Sequence, residues 1–321
     1  MNPEPGTSVL CLGTTPAVQR VMVFQRLELD AVNRAGTTLD GAAGKSVNVA
    51  KVLRALGERP LALGFLGGDR GKAVRSTLRT LGIAADFVAV DNPTRQCVTV
   101  IDQSAATQTE LVEESGPVEP AAYVELLART RRYLTHSRAL VLSGTLAPGG
   151  APDFYADCVT AGNDHGVLTV VDALGPPLTA ALAARPGLVK PNHRELAATV
   201  GHDLPDECAV GAAMRQLHAR GAERVVVTAG NAAVLAFDGQ EFWRVIPPGI
   251  RALNPIGSGD AFTAGMVWRL LRGDDLGEAC RWGAAAGAAN ALTLMAGELE
   301  MSEMQRLAPQ VAVEKVLLRG P

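Results

Sequence analysis

The chain has 321 residues, 47% of them apolar and 20% charged, with a net charge of −3. That apolar content supports a large core and argues against disorder, and the lack of a long basic run argues against nucleic acid as the main partner. Five scattered cysteines with no CxxC pair point to neither a zinc knot nor a disulfide framework.

Reduced thiols in a cytoplasmic protein are the expectation, and no apolar run approaches the roughly 18 residues of a membrane span. Residues 1–8 are polar and proline-rich, and the apolar Val9–Leu12 that follows is too short for a signal segment. The length suits one large α/β domain or two smaller ones.

In chain order, Val9–Leu12 reads as a buried strand, Gly13-Thr14-Thr15-Pro16 as a turn and residues 18–29 as a half-exposed strand. A run of small residues, Asp40-Gly41-Ala42-Ala43-Gly44-Lys45-Ser46-Val47-Asn48, enters a helix ending near Gly57, with Val49, Val52, Leu53 and Leu56 on one face. Such an entry lets a ligand approach backbone closely; it would equally serve as a tight helix start with Lys45 in solvent. A strand at 61–66 and a helix at 71–81 follow. Strands at 86–90 and 96–101, with the polar stretch 102–114, are expected outside the main sheet.

Helices are expected at 123–134, 153–161 and 207–220, and apolar strands at 139–142, 167–171, 188–189 and 225–227. A hairpin turns at Asp238-Gly239, and two Ala-rich helices, 261–271 and 276–294, close the chain. Helices alternating with short apolar strands predict βαβ units and a parallel sheet covered on both faces. Ligands in such sheets bind at the carboxyl ends of strands, where Thr145, Asp172, Lys190, Asn192 and Thr228 collect.

The stretch with most chemistry is Asn254-Pro255-Ile256-Gly257-Ser258-Gly259-Asp260 and the helix after it. Gly257, Ser258 and Gly259 leave backbone N–H groups open, a natural anion site at a helix start. An aspartate there would repel a phosphate unless it had a task such as taking a proton from a nucleophile beside that phosphate. The same residues would also make a glycine loop closed by an aspartate N-cap. Two other patterns fail. Gly44-Lys45-Ser46 lacks the P-loop glycine, since Leu39 stands there, and Phe262 occupies the third glycine position of a dinucleotide fingerprint.

With these residues in view, the chain resembles the PfkB (ribokinase-like) carbohydrate kinases, in the branch of 1-phosphofructokinase, tagatose-6-phosphate kinase and the minor 6-phosphofructokinase. The resemblance spans nearly the whole chain. Residues 254–260 are similar to the C-terminal G-[AS]-G-D signature and residues 44–50 to the N-terminal G-K-G-x-N-V-A. Ser143-Gly144-Thr145-Leu146 is similar to the S-G-S-L turn, and residues 188–196 to V-K-P-N-x-x-E.

The resemblance implies a three-layer α/β/α fold with a mainly parallel central sheet, as a single domain over 1–321, and a small β lid at 14–38 and 88–115. It implies an ATP- and Mg²⁺-dependent kinase of a phosphorylated keto-hexose, cytoplasmic, and a homodimer through the lid. Asp260 would be the general base, with Gly257, Ser258 and Gly259 as the anion hole. Asn192 and Glu195 would organise the nucleotide phosphates and Mg²⁺, Glu195 through water, with Lys190 nearby. Thr228 and Gly230 would touch the nucleotide, and Asn290 would border the adenine. Gly44, Lys45 and Asn48 would hold sugar hydroxyls or phosphate, and Arg95 and Thr145 the phosphate already on the sugar.

The departures cluster on the sugar side. Thr15 and Gln19 replace the asparagine and aspartate of T-x-N-P-A-x-D, and a glutamine contact lacks the strengthening charge. Ser46 replaces a glycine, Cys97 stands where an asparagine is usual, and Asp172-Ala173-Leu174-Gly175 lacks the usual serines. These motivate two other readings: a kinase of an unphosphorylated sugar or nucleoside, and a non-catalytic sensor of sugar phosphate or nucleotide on the same fold.

Overall fold

In the computed structural model, residues 9–318 are described; residues 1–8, read above as a polar segment, lie outside them. Ten strands form the central sheet. Its parallel part runs Ala84–Ala85, Pro60–Leu63, Val9–Leu12, Ala139–Ser143, Leu168–Asp172, Leu188–Val189 and Val225–Val227. The hairpin Val234–Phe237 and Phe242–Ile246, then Ala312–Val316, extend it antiparallel.

The strands are apolar on both faces because both faces are covered. Val9, Cys11, Ala139 and Val141 join one buried cluster with the helices Lys45–Ala55, Gly68–Thr80, Ser258–Leu270, Leu276–Ala291 and Met301–Leu307. Leu10, Leu12, Leu140 and Leu142 join the opposite cluster with Pro120–Leu134, Phe154–Asp164, Gly175–Ala183, His193–Val200 and Glu207–Ala219. The expected three-layer fold is the one observed. No helix among the described residues is long and apolar enough to cross a membrane.

The lid is a separate four-stranded sheet, in the order Thr37–Ala43, Ala17–Phe24, Arg95–Asp102, Thr107–Val112. It differs from the expected segments in three ways. The strand Thr37–Ala43 carries the lid past residue 38, and its glycine and alanines hid it from a pattern search. Thr107–Val112 is a strand, although read as a polar stretch. Most of its side chains are exposed, so no alternation marks it, and backbone pairing to Arg95–Asp102 defines it. Finally, Val88–Ala89 is not in the lid but pairs with Phe65–Leu66 beside the main sheet.

Candidate active site

Polar groups gather at the carboxyl ends of Ala139–Ser143, Leu168–Asp172, Leu188–Val189 and Val225–Val227, facing the start of the Ser258–Leu270 helix. Gly257 is that helix's N-cap, in the left-handed region at φ 84°. A Cβ on Gly257 would lie 2.8 Å from Ala296 Cβ, so no larger residue fits the turn. Asp260 is therefore the third residue of the helix and not its cap, which removes the capping alternative.

Ser258 N donates to Pro255 O at 3.1 Å, whereas the amides of Gly257, Gly259 and Asp260 have no internal acceptor among the described residues. The first turn of a helix leaves such donors open and adds the positive end of its dipole. The open amides in the stretch where an anion hole is expected are thus those of Gly257, Gly259 and Asp260.

Asp260 is buried and accepts a hydrogen bond from Asn48 Nδ2 at 2.7 Å. Burial pushes its carboxyl up; Lys45 opposes this, Asp172 adds to it, and the Asn48 bond and Lys190 oppose it, leaving it at about 6. Asp172 is the pivot of this cluster. Its Oδ1 lies 3.1 Å from Lys45 Nζ and its Oδ2 3.0 Å from Lys190 Nζ. Burial alone would raise Asp172, but the two ammonium groups outweigh it and bring the carboxyl down to about 2. Asp172 in turn holds the Lys45 ammonium well above its ordinary range.

Thr263, one turn along from Asp260, places its hydroxyl 3.3 Å from Asp172 Oδ2 and 3.0 Å from Gly259 O. Lys190 Nζ lies 4.0 Å from where a Cβ on Gly259 would be, beside the open amides. Sequence reasoning placed Asp172 at a strand end without a role and missed Thr263. The spacing Asp260 to Thr263, one helical turn, was the available signal.

Asn192 and Glu195 form a capping box at the start of His193–Val200: Glu195 N donates to Asn192 Oδ1 at 2.9 Å, and Asn192 N to Glu195 Oε2 at 2.8 Å. Glu195 Oε1 remains outside the box, 3.7 Å from Lys45 Nζ. Next to the helix start, a cavity of about 500 Å³ is lined by Thr228, Gly230, Ile250, Phe262, Ala284 and Gly287. Asn290 does not line it. It is fully buried behind the loop, its Nδ2 donating to Ile256 O at 3.0 Å and its Oδ1 accepting from Gly297 N at 2.8 Å. The structure thus moves Asn290 from the rim of a base pocket to the fastening of residues 254–259.

On the lid side, Arg95 Nε donates to Thr15 O at 3.2 Å. A Cβ on Gly144 would meet Thr15 Oγ1 at 3.7 Å and Lys45 Cβ at 3.8 Å. Thr15 thus links Arg95 to Gly144, which Lys45 flanks on the side of the Asp172 cluster. Thr145 is exposed at its edge, and Gly44 forms the turn into the Lys45–Ala55 helix.

Gln19 faces inward from the lid, buried, with Nε2 donating to Thr99 Oγ1 at 2.9 Å. Gln19 Oε1 and Asn48 Oδ1 are buried acceptors without a partner among the described residues. The Ser46 side chain, which stands where the N-terminal signature has a glycine, is buried, with its Oγ 2.5 Å from where a Cβ on Gly13 would lie. The bare glycine makes room for it.

The sequence pattern of the pfkB family carbohydrate kinases matches residues 7–300. Tagatose-6-phosphate kinase of Staphylococcus epidermidis is 29% identical over 311 residues, covering 96% of this chain and 100% of the relative. Phosphofructokinase-2 from Escherichia coli, solved in complex with fructose-6-phosphate, superposes with a TM-score of 0.85 at 26% identity, over 95% of this chain and 98% of that one. A possible 1-phosphofructokinase from Thermotoga maritima shares the fold with a TM-score of 0.89 at 24% identity, over 97% and 100% of the two chains.

Proposed function

Because the chain belongs to the pfkB family of carbohydrate kinases, we propose that it transfers the γ-phosphoryl group of ATP to a hydroxyl of a phosphorylated keto-hexose such as tagatose 6-phosphate, fructose 6-phosphate or fructose 1-phosphate. The observation that carries this reading is that Asp260 shares one helical turn with open backbone amides, beside two lysines.

Asp260, oriented by Asn48, takes the proton of the attacking hydroxyl. The amides of Gly257, Gly259 and Asp260, with Lys190, receive the charge that spreads over the transferring group, and Lys45 bridges towards the acceptor. The cavity with Thr228 and Gly230 suits the nucleoside. Arg95, its fork only partly used, suits a phosphate dianion on the sugar, with the Thr145 hydroxyl beside it. Gln19 Oε1 and Asn48 Oδ1 offer acceptors to sugar hydroxyls.

Glu195 Oε1 and Asn192 would orient Mg²⁺ through water. The described residues contain no cluster of three or more metal-ligating side chains, which suits an ion carried mainly by phosphates and water. When bound, Mg²⁺ would neutralise charge on the nucleotide phosphates.

The test is a coupled ADP-release assay with Mg²⁺–ATP against fructose 1-phosphate, fructose 6-phosphate, tagatose 6-phosphate, fructose, ribose and adenosine. Turnover confined to a phosphorylated ketose is expected, with Asp260→Asn losing roughly a hundredfold or more in kcat. Turnover only on an unphosphorylated acceptor, or near-normal turnover by Asp260→Asn, would overturn the reading.

A further inference from the structure

Residues 293–298 leave the end of the Leu276–Ala291 helix and touch both halves of the site. Towards the lid, Met295 is buried in an apolar cluster with Val21, Val23 and Ile101. Its Cε comes within 2.6 Å of the place a Cβ on Gly41 would take. Towards the anion hole, Ala296 and Gly297 back the turn at Gly257: a Cβ there would lie 2.8 Å from Ala296 Cβ and 3.0 Å from Gly297 N. Gly297, at φ 73°, also abuts Asn48, and a Cβ on it would sit 2.7 Å from Asn48 Cα. Asn48 is the residue that holds Asp260.

Buried polar side chains fasten this turn. Asn290 bridges Gly297 N and Ile256 O, and Asn254 Nδ2 donates to Leu294 O at 2.8 Å. Lys51 Nζ donates to Ala296 O at 2.6 Å and, at 3.4 Å, to Ala42 O in the lid strand Thr37–Ala43. One short segment is thus packed against the lid, the base and the anion-hole loop, with little free volume in which any of the three could shift alone.

We propose that residues 293–298 are a strut through which the lid sets the anion-hole loop, with Met295 as its positioning residue. This rests on the kinase reading above, in which the lid covers the acceptor. An acceptor that settles the lid presses Met295, and Ala296 and Gly297 then hold Gly257 and Asn48 in the geometry that receives the nucleotide phosphates. Such coupling is reciprocal, so acceptor and nucleotide each tighten the other's binding.

The test is calorimetric titration of the wild type with Mg²⁺–AMPPNP, without and with a saturating sugar phosphate that the enzyme turns over. The wild type is expected to bind the nucleotide analogue roughly fivefold or more tightly with the acceptor present. Met295→Ala should bind the analogue alone as the wild type does, but with that ratio near one, and Met295→Leu should restore it. Val21→Ala removes the same contact from the lid and should give the same loss, so it reads the contact even if Met295→Ala fails to fold. A wild-type ratio of one, or a ratio preserved in the alanine variants, overturns the strut. Absence of turnover with every sugar phosphate would instead count against the kinase reading.

Discussion

Asp260 is balanced between opposing fields, since burial and Asp172 raise its carboxyl while Lys45, Asn48 and Lys190 lower it, to about 6. A general base works only when ionised, so kcat/KM should rise about tenfold per pH unit up to about 6 and then level. A rate profile flat between pH 4.5 and 7 would remove Asp260 from that role. Asn48→Ala removes a bond to the charged form and should move the inflection upward.

Asp172 answers to the same physics with the opposite sign. Its carboxyl is depressed to about 2, so its contribution to stability is present above the ordinary carboxylate range and lost as pH falls through about 2. Asp172→Asn leaves the buried Lys190 ammonium without its counter-charge and should cost roughly 3 kcal/mol or more at neutral pH. In denaturant melts, the gap between wild type and variant should narrow below about pH 4.

The helices Ser258–Leu270 and Leu276–Ala291 position the open amides of residues 257–260, and their close approach is written in small residues. A Cβ on Gly265 would lie 2.8 Å from Ala286 Cβ, and one on Gly283 2.9 Å from Phe262 O. Phe262 sits in the first turns of the helix that carries Asp260. Gly283→Ala therefore adds a methyl against backbone that cannot rotate away, and should destabilise by about 1–3 kcal/mol. Because the displaced helix carries the open amides, kcat should fall with Tm; an unchanged Tm would show that the helix pair has slack.

The lid is the element least able to stand alone, because a four-stranded sheet buries only its inner face on the rest of the chain. It also carries exposed apolar side chains, Leu111 at 56% and Val112 at 47%, with Leu29 and Val32 in the loop between its first two strands. These side chains are the surface on which the expected homodimer through the lid would rest. Light scattering is expected to give twice the mass of one chain, and Leu111→Glu to return the mass towards that of one chain. A monomeric wild type would contradict the pairing.

Much of the molecule was legible in one dimension. Short strands apolar on every residue imply a sheet covered on both faces, and Asp260 after two glycines implies an anion site. Arg95 and the Asn192–Glu195 pair stand out only through the resemblance to the family's motifs. Polar edge strands such as Thr107–Val112 escaped because backbone pairing, and not side-chain pattern, defines them.

Three assignments belonged to the tertiary structure alone. It made Asp172 the pivot of two lysines from different segments and turned Ser46 into the gap at Gly13. It also took Asn290 off the nucleotide rim to fasten the loop before Asp260. Periodicity reports which face of an element is buried, but what a buried polar side chain meets depends on other segments of the chain, and only the packed chain brings those together.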